Sequence, residues 1–276
     1  MSMMTPPKKI KFTIPRLLES KGAGSPVAMV TAYDATMARI VDAANVDLIL
    51  VGDSVGTVMQ GAKNTLAVTM DQMAYHVQMV AAAKPSALIV GDLPFGSYQA
   101  SNSDAVRNSI RLIQAGAECV KLEGGVHVSH AIEAIVNADI PVIGHIGLTP
   151  QSYHRMGGNK VQGRTEGDGA GSRERIMKDA LAVEKAGASA VVIEAVPSDL
   201  AEEITNTLAI PTIGIGAGVH CDGQVLVIND LLGLSERCFT FTKAYTNFRQ
   251  QAIDAVNAYV NEVHESKFPS TQHSFQ

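Results

Sequence analysis

Eight short apolar runs recur along this chain, at residues 28–33, 48–52, 87–91, 119–122, 141–145, 190–194, 211–215 and 226–229. Their C-terminal ends are spaced roughly 28 residues apart on average, room for a strand, a loop and a helix of ten or more residues. The runs read as unbroken apolar stretches, such as Leu48-Ile49-Leu50-Val51 and Ala190-Val191-Val192-Ile193. Burial on both faces of a parallel sheet demands that pattern. The intervening segments 70–83, 104–115, 172–186 and 198–208 repeat apolar residues at helical spacing, which supplies amphipathic helices to cover the outer face. Ala115-Gly116 and Ala186-Gly187 stand where helix C-caps would precede the next strand. Eight βα units predict an α/β fold of the (β/α)8 TIM barrel type, and 276 residues suit one such domain.

The expected organisation is a single barrel domain over residues 1–276, with an N-terminal extension and first helix in 1–25 and a terminal amphipathic helix over 242–264. Composition narrows the partners. Hydrophobic residues make up 46% and charged residues 18%, which excludes a disordered chain. Twenty-two Lys and Arg stand against twenty-seven Asp and Glu, with no basic run beyond Lys8, Lys9 and Lys11. A phosphate-backbone binder needs more positive charge, so nucleic acid is not an expected partner. The longest apolar candidate, residues 79–90, is broken by Lys84 and Pro85, short of the roughly 20 residues that a membrane span requires. Cys119, Cys221 and Cys238 have no CxxC spacing, and with no visible secretory signal they are expected to be reduced thiols of a cytoplasmic protein.

One connection is long. Residues 146–171 hold seven glycines between the fifth strand and its helix, and unstructured stretches of that size are usually lids or disordered segments. In a barrel this one belongs to the active face.

Barrel enzymes place catalytic groups at the carboxyl ends of strands. Here five runs end in or beside an ionisable residue: Asp53, Asp92, Glu123, His145 and Glu194. Any one of these acids could be a helix cap or a solvated loop residue. Several carboxylates on one rim would raise one another's pKa values unless a cation holds them. A carboxylate-rich, cysteine-free site selects a hard ion, and Mg²⁺ is the expected one. Lys121 and Glu123, two apart on a strand, point the same way into the barrel mouth; Lys121 is either an ion-pair partner or a holder of an anionic substrate. Asp53 and Ser54 can both reach a ligand only if the chain curls at the turn, which flanking Gly52 and Gly56 would permit. The glycines of residues 214–218 suit either a phosphate or close helix packing. His145 either orients a neighbour or contacts substrate.

These residues lie in segments that resemble the ketopantoate hydroxymethyltransferase family. The resemblance runs from Thr31-Ala32-Tyr33-Asp34 to His273-Ser274-Phe275. It is carried by Val51-Gly52-Asp53-Ser54, Asp92-Leu93-Pro94-Phe95 and residues 120–125, 144–152, 157–164, 193–197 and 213–218, then Asp222-Gly223-Gln224. The evident departures, Ala195 where cysteine is common and Ile146 where leucine is common, touch no proposed ligand. The resemblance implies a barrel of the phosphoenolpyruvate mutase/isocitrate lyase group assembled as a homodecamer. It also implies transfer of a hydroxymethyl group from 5,10-methylenetetrahydrofolate to 3-methyl-2-oxobutanoate. By motif, Asp53 and Asp92 would bind Mg²⁺ with Glu123 at or just beyond the ion. Asp53, Ser54, Asp92 and Lys121 would contact the keto acid, and Glu194 would be the catalytic base. His145 is an accessory candidate. The segment carrying Lys160, Gln162 and Arg164 would either close over the folate or form a subunit contact. Two other readings stay open: a Mg²⁺-dependent lyase or mutase of the same barrel group, and a binding regulator built on a decayed barrel.

Overall fold

The structure is a computed structural model that describes residues 9–167, 169–236 and 239–275. Lys8, Cys238 and the start of the N-terminal extension lie outside the described residues. The chain divides into two compact units, one ending at Val227 and one beginning at Ile228.

The first unit is a closed parallel barrel in strand order β1 to β8. After α1 (Ile14–Glu19) come β1 (Val27–Thr31), α2 (Ala35–Ala43), β2 (Leu48–Val51), α3 (Val55–Val58), α4 (Met70–Ala82) and β3 (Leu88–Asp92). Next follow α5 (Asn102–Ala115), β4 (Cys119–Glu123), α6 (Ser129–Val136), β5 (Val142–Gly147), α7 (Tyr153–Met156) and α8 (Arg173–Lys185). The unit ends with β6 (Ala190–Glu194), α9 (Ser198–Thr207), β7 (Thr212–Ile215) and β8 (Gly223–Leu226). Helix starts are fixed locally: Asp34 caps α2, Ser101 caps α5, and Thr69 and Gln72 form a reciprocal capping box on α4. At the end of α5, Gly116 takes φ +112, a left-handed conformation that only glycine adopts without a steric penalty.

The interior is built on a period of two. Leu88 and Val90, Cys119, Ile143, and Ala190 and Val192 all point inward and pack with Met29, Leu48, Leu50, Ile213 and Val225. Leu17 of α1, fully buried, belongs to the same cluster, with Phe12 and Ile14 packed against it. Each such leucine or isoleucine contributes about 1.5–3 kcal/mol by leaving water. Extending the same alternation by two or four residues toward the C-terminal ends reaches Asp92, Lys121, Glu123, His145 and Glu194. The polar layer is therefore the top storey of the barrel's own interior.

Strand eight is displaced from its expected place at residues 226–229. The ladder pairs Gly223 with both Val27 and Ile213, and a β-carbon at Gly223 would lie 2.7 Å from the Val27 carbonyl oxygen. Glycine gives the strand its close approach but no apolar signature, and the apolar run that follows turns into a helix.

The second unit carries α10 (Ile228–Leu231) and α11 (Phe248–His264). The terminal helix starts at Phe248, six residues later than the expected 242, with Asn247 accepting from the Gln250 N–H as its cap. Ser235 Oγ donates to Asp230 Oδ1 at 2.6 Å within this unit. No helix among the described residues is long and apolar enough to cross a membrane.

Candidate active site

Sheet register assembles the site. Asp92 stands beside Lys121, Glu123 beside His145, and Glu194 beside Gly147 across neighbouring strands. Lys121 Nζ donates to both oxygens of Asp92 at 2.8 and 2.9 Å and lies 3.7 Å from Glu123 Oε1. His145 bridges two acids, with Nδ1 3.3 Å from Glu123 Oε1 and Nε2 3.1 Å from Glu194 Oε2. These are close charge contacts at angles poorer than those of hydrogen bonds. Asp53 arrives from the β2 turn, where its N–H donates to Asp92 Oδ2 at 3.1 Å. The expected curl at this turn is a helical one: Ser54, in right-handed helical backbone, immediately precedes α3 and shares a 2.8 Å hydrogen bond with the Tyr33 hydroxyl. Gly56 is needed there for space, because a β-carbon would fall 2.6 Å from Val68 Cγ2.

Asp53, Asp92, Lys121, Glu123 and His145 are all buried, and the charges answer to one another. Burial pushes Asp53 well above the ordinary carboxylate range, and the charges of Asp92 and Glu123 push it further. Burial also raises Asp92, in spite of Lys121. Burial opposes the charge of Glu123, yet Lys121 and His145 hold that carboxyl below its usual range. Burial likewise opposes the Lys121 ammonium, and Asp92 and Glu123 more than compensate. Burial and Lys121 oppose a proton on His145, but Glu123 and Glu194 push it up to about 9.

With all four carboxyls ionised, four negative charges would face two cations, Lys121 and protonated His145, a deficit of two that burial and mutual repulsion make costly at Asp53. That deficit matches one divalent ion. Among the described residues no three acid, imidazole or thiol groups converge closely enough to enclose an ion by themselves. Mg²⁺ keeps several waters and takes only one or two protein carboxylates, so its binding here would not need such a cluster. Asp53 and Asp92 are brought together by the bond from the Asp53 N–H to Asp92 Oδ2, whose carboxylate also accepts from Lys121, while Glu123 faces Lys121, His145 and the Gln151 N–H.

A polar clamp holds this arrangement, and sequence reasoning had passed over it. Gln151, buried in the turn after β5, donates from Nε2 to Asp53 Oδ2 at 3.0 Å and to the Leu93 carbonyl at 2.9 Å. Its backbone N–H donates to Glu123 Oε2 at 2.9 Å. Its Oε1 accepts from the Tyr98 hydroxyl at 2.7 Å, and that hydroxyl lies 3.1 Å from the Glu123 nitrogen, which donates to it. Gln151→Leu keeps the volume but leaves the Leu93 carbonyl unpaired and removes a charged hydrogen bond. We expect a loss of about 2–4 kcal/mol in urea unfolding; a change below about 0.5 kcal/mol would show that the clamp holds nothing.

The glycines at 214–218 serve packing. A β-carbon at Gly214 would sit 3.0 Å from Cys221 Sγ, and one at Gly218 would sit 2.0 Å from Ser198 Oγ.

With this geometry in place, comparison with known proteins is decisive. The family model for ketopantoate hydroxymethyltransferase matches residues 11–271. The chain belongs to the ketopantoate hydroxymethyltransferase family. A 3-methyl-2-oxobutanoate hydroxymethyltransferase from Pelobacter propionicus is 56% identical over 267 residues, covering 96% of this chain and 97% of that relative. Solved structures place the family's barrel. A phosphoenolpyruvate phosphomutase from Streptomyces platensis superposes with a TM-score of 0.62 at 17% identity, over 92% of this chain and 88% of that one. A 2,3-dimethylmalate lyase, described as a member of the PEP mutase/isocitrate lyase superfamily, gives 0.59 at 15% identity, over 97% and 93%. At those identities the likeness shows the fold alone, a (β/α)8 barrel.

Proposed function

We propose that this ketopantoate hydroxymethyltransferase family member transfers the one-carbon unit of 5,10-methylenetetrahydrofolate to 3-methyl-2-oxobutanoate, giving 2-dehydropantoate, the first step of the pantoate branch of pantothenate synthesis. The observation that carries this reading is the charged layer in which His145 stands between Glu194 and Glu123, and Lys121 joins Glu123 to the Asp92 and Asp53 pair. Asp53, Asp92 and, just outside them, Glu123 would hold Mg²⁺. When bound, the ion supplies Lewis-acid stabilisation, worth several kcal/mol, to negative charge on the keto oxygen.

The chain's own groups do the rest. The Lys121 ammonium and the Ser54 hydroxyl, with Asp53 and Asp92, fix the keto acid. Glu194, whose side chain is 15% exposed where those of Lys121, Glu123 and His145 are 2–4%, opens to the mouth and takes the proton from C3. His145, held 3.1 Å away, steadies that carboxylate in one orientation. The resulting enolate carbon bonds to the methylene carbon, whose two bonds to folate nitrogens both break; one nitrogen takes the proton that Glu194 removed from C3, and the other takes a proton from the water whose oxygen becomes the hydroxyl. The absence of a side chain at Gly147 keeps the wall beside Glu194 close: a β-carbon there would lie 2.3 Å from the Glu194 carbonyl oxygen.

Self-association, as the homodecamer the family resemblance implies, is supported by apolar side chains that α11 leaves exposed, among them Phe248, Val256 and Tyr259. The buried free thiols Cys119 and Cys221 fit a reducing cytoplasm. The test is product analysis after mixing protein, 3-methyl-2-oxobutanoate, methylenetetrahydrofolate and Mg²⁺. 2-Dehydropantoate should form, and omission of either folate or metal should stop it. Turnover of the keto acid without folate would favour a lyase instead.

A further inference from the structure

A cavity of about 550 Å³ opens beside the ends of β4 and β5, walled by α8 and the long glycine-rich connection. Its volume falls within the range of small-molecule sites. Arg155, Lys160, Arg164 and Arg175 all line it, against one acid, Asp179. That acid is shared: Arg175 Nε lies 3.4 Å from Asp179 Oδ1, and the same oxygen accepts from the Val126 N–H at 2.9 Å. Arg155 Nη2 donates to the Ser152 hydroxyl at 3.3 Å. Among the described residues no carboxylate pairs with Arg155, Lys160 or Arg164. Burial pushes His127, also in the lining, below its ordinary value, and the charges of Arg155 and Arg175 add to the effect. Three cations that no carboxylate among the described residues neutralises, around one concavity, raise a positive potential that favours a multivalent anion.

The cavity adjoins the chemistry. Gly124 and Gly147, on its wall, directly follow Glu123 and lie two residues beyond His145. The connection that closes it is pinned next to the base, where Gln162 N–H donates to the Ala195 carbonyl at 2.9 Å. Two further bonds hold its shape, from Gly163 N–H to the Gly171 carbonyl at 2.7 Å and from Arg173 N–H to the Thr165 carbonyl at 2.8 Å.

We infer that this cavity binds the carboxylates of the one-carbon carrier, seating the glutamyl end of the folate while its methylene-bearing end faces Glu194. The inference rests on the reading given under Proposed function. The keto acid carries one carboxylate and has Lys121 within the barrel. The folate is the reactant with two or more carboxylates, and guanidinium groups pair with carboxylates in bidentate fashion.

The test compares binding of tetrahydrofolate bearing one and three glutamyl residues to the Mg²⁺-loaded full chain, wild type and Lys160→Ala/Arg164→Ala. Both side chains are exposed, and matched thermal unfolding of the two proteins will confirm that the fold is kept. The wild type should bind the triglutamate more tightly, and the double variant should lose about tenfold in affinity for it. The monoglutamate should lose less, and Lys160→Arg/Arg164→Lys should restore both. Equal loss for the two folates, or no loss, overturns the cavity assignment alone. A wild-type protein that binds neither folate overturns the assignment together with the proposed reaction.

Discussion

Glu194→Gln is expected to slow exchange of the C3 hydrogen of 3-methyl-2-oxobutanoate for deuterium by about 10³-fold, while the keto acid and Mg²⁺ still bind. Glutamine keeps the shape of the side chain but cannot accept the proton. The neighbour that could stand in is His145, whose Nε2 lies 3.1 Å from Glu194 Oε2. It is poorly suited to do so, because Glu123 still favours its protonated form. Removing the Glu194 charge takes away one of the two acids that keep His145 protonated, so residual exchange in the variant should rise with pH. Proton NMR in deuterated buffer at pH 7.5 follows the C3 signal directly, and calorimetry checks that keto acid binding survives. Exchange at the wild-type rate would remove Glu194 from the role of base.

Much of this site could be read in advance because a barrel converts sequence position into place. A strand's inward residues alternate, so Val90 and Asp92, Cys119 and Lys121, or Val192 and Glu194 share one wall. The first seven strands declared themselves through runs buried on both faces. Strand eight did not, since Gly223 supplies close backbone approach and Gln224 is exposed; neither leaves a hydrophobic mark. The start of the terminal helix was set by a polar cap at Asn247 rather than by the apolar pattern extending back to 242. Gln151 and Tyr98 were missed for a different reason. Each sits in a turn, and its importance arises from partners 25 to 98 residues away in sequence. Single-sequence periodicity carries no trace of such contacts. The only available signal was position, since Gln151 falls within the family-like segment 144–152.

The acid cluster predicts that the metal-free protein is strained by its own function. Asp53→Asn should reduce Mg²⁺-dependent turnover by about 10³-fold, the equivalent of losing several kcal/mol of charge stabilisation at the keto oxygen. In the presence of EDTA at pH 7.5 the same substitution should raise the melting temperature by about 2–4 °C. The opposite signs have one cause. Burial, followed by the charges of Asp92 and Glu123, holds the Asp53 carboxyl well above the value of 3.8 to which it returns on unfolding. Below 3.8 it is protonated in both states and costs nothing. As pH rises toward the folded-state value, the unfolded chain releases its proton first, so folding loses stability until both states are ionised. Asparagine lacks that ionisation, and its side-chain oxygen can still accept from Gln151 Nε2, which now reaches Asp53 Oδ2 at 3.0 Å. The advantage of the variant should therefore be small at pH 4, larger at pH 7.5, and reversed by Mg²⁺, which stabilises only the protein able to bind it. Thermal unfolding at the two pH values, with EDTA and with saturating Mg²⁺, measures all three. A variant that melts below the wild type at pH 7.5 in EDTA would mean that Asp53 is already satisfied without an ion, and the charge argument for a divalent cation would fail.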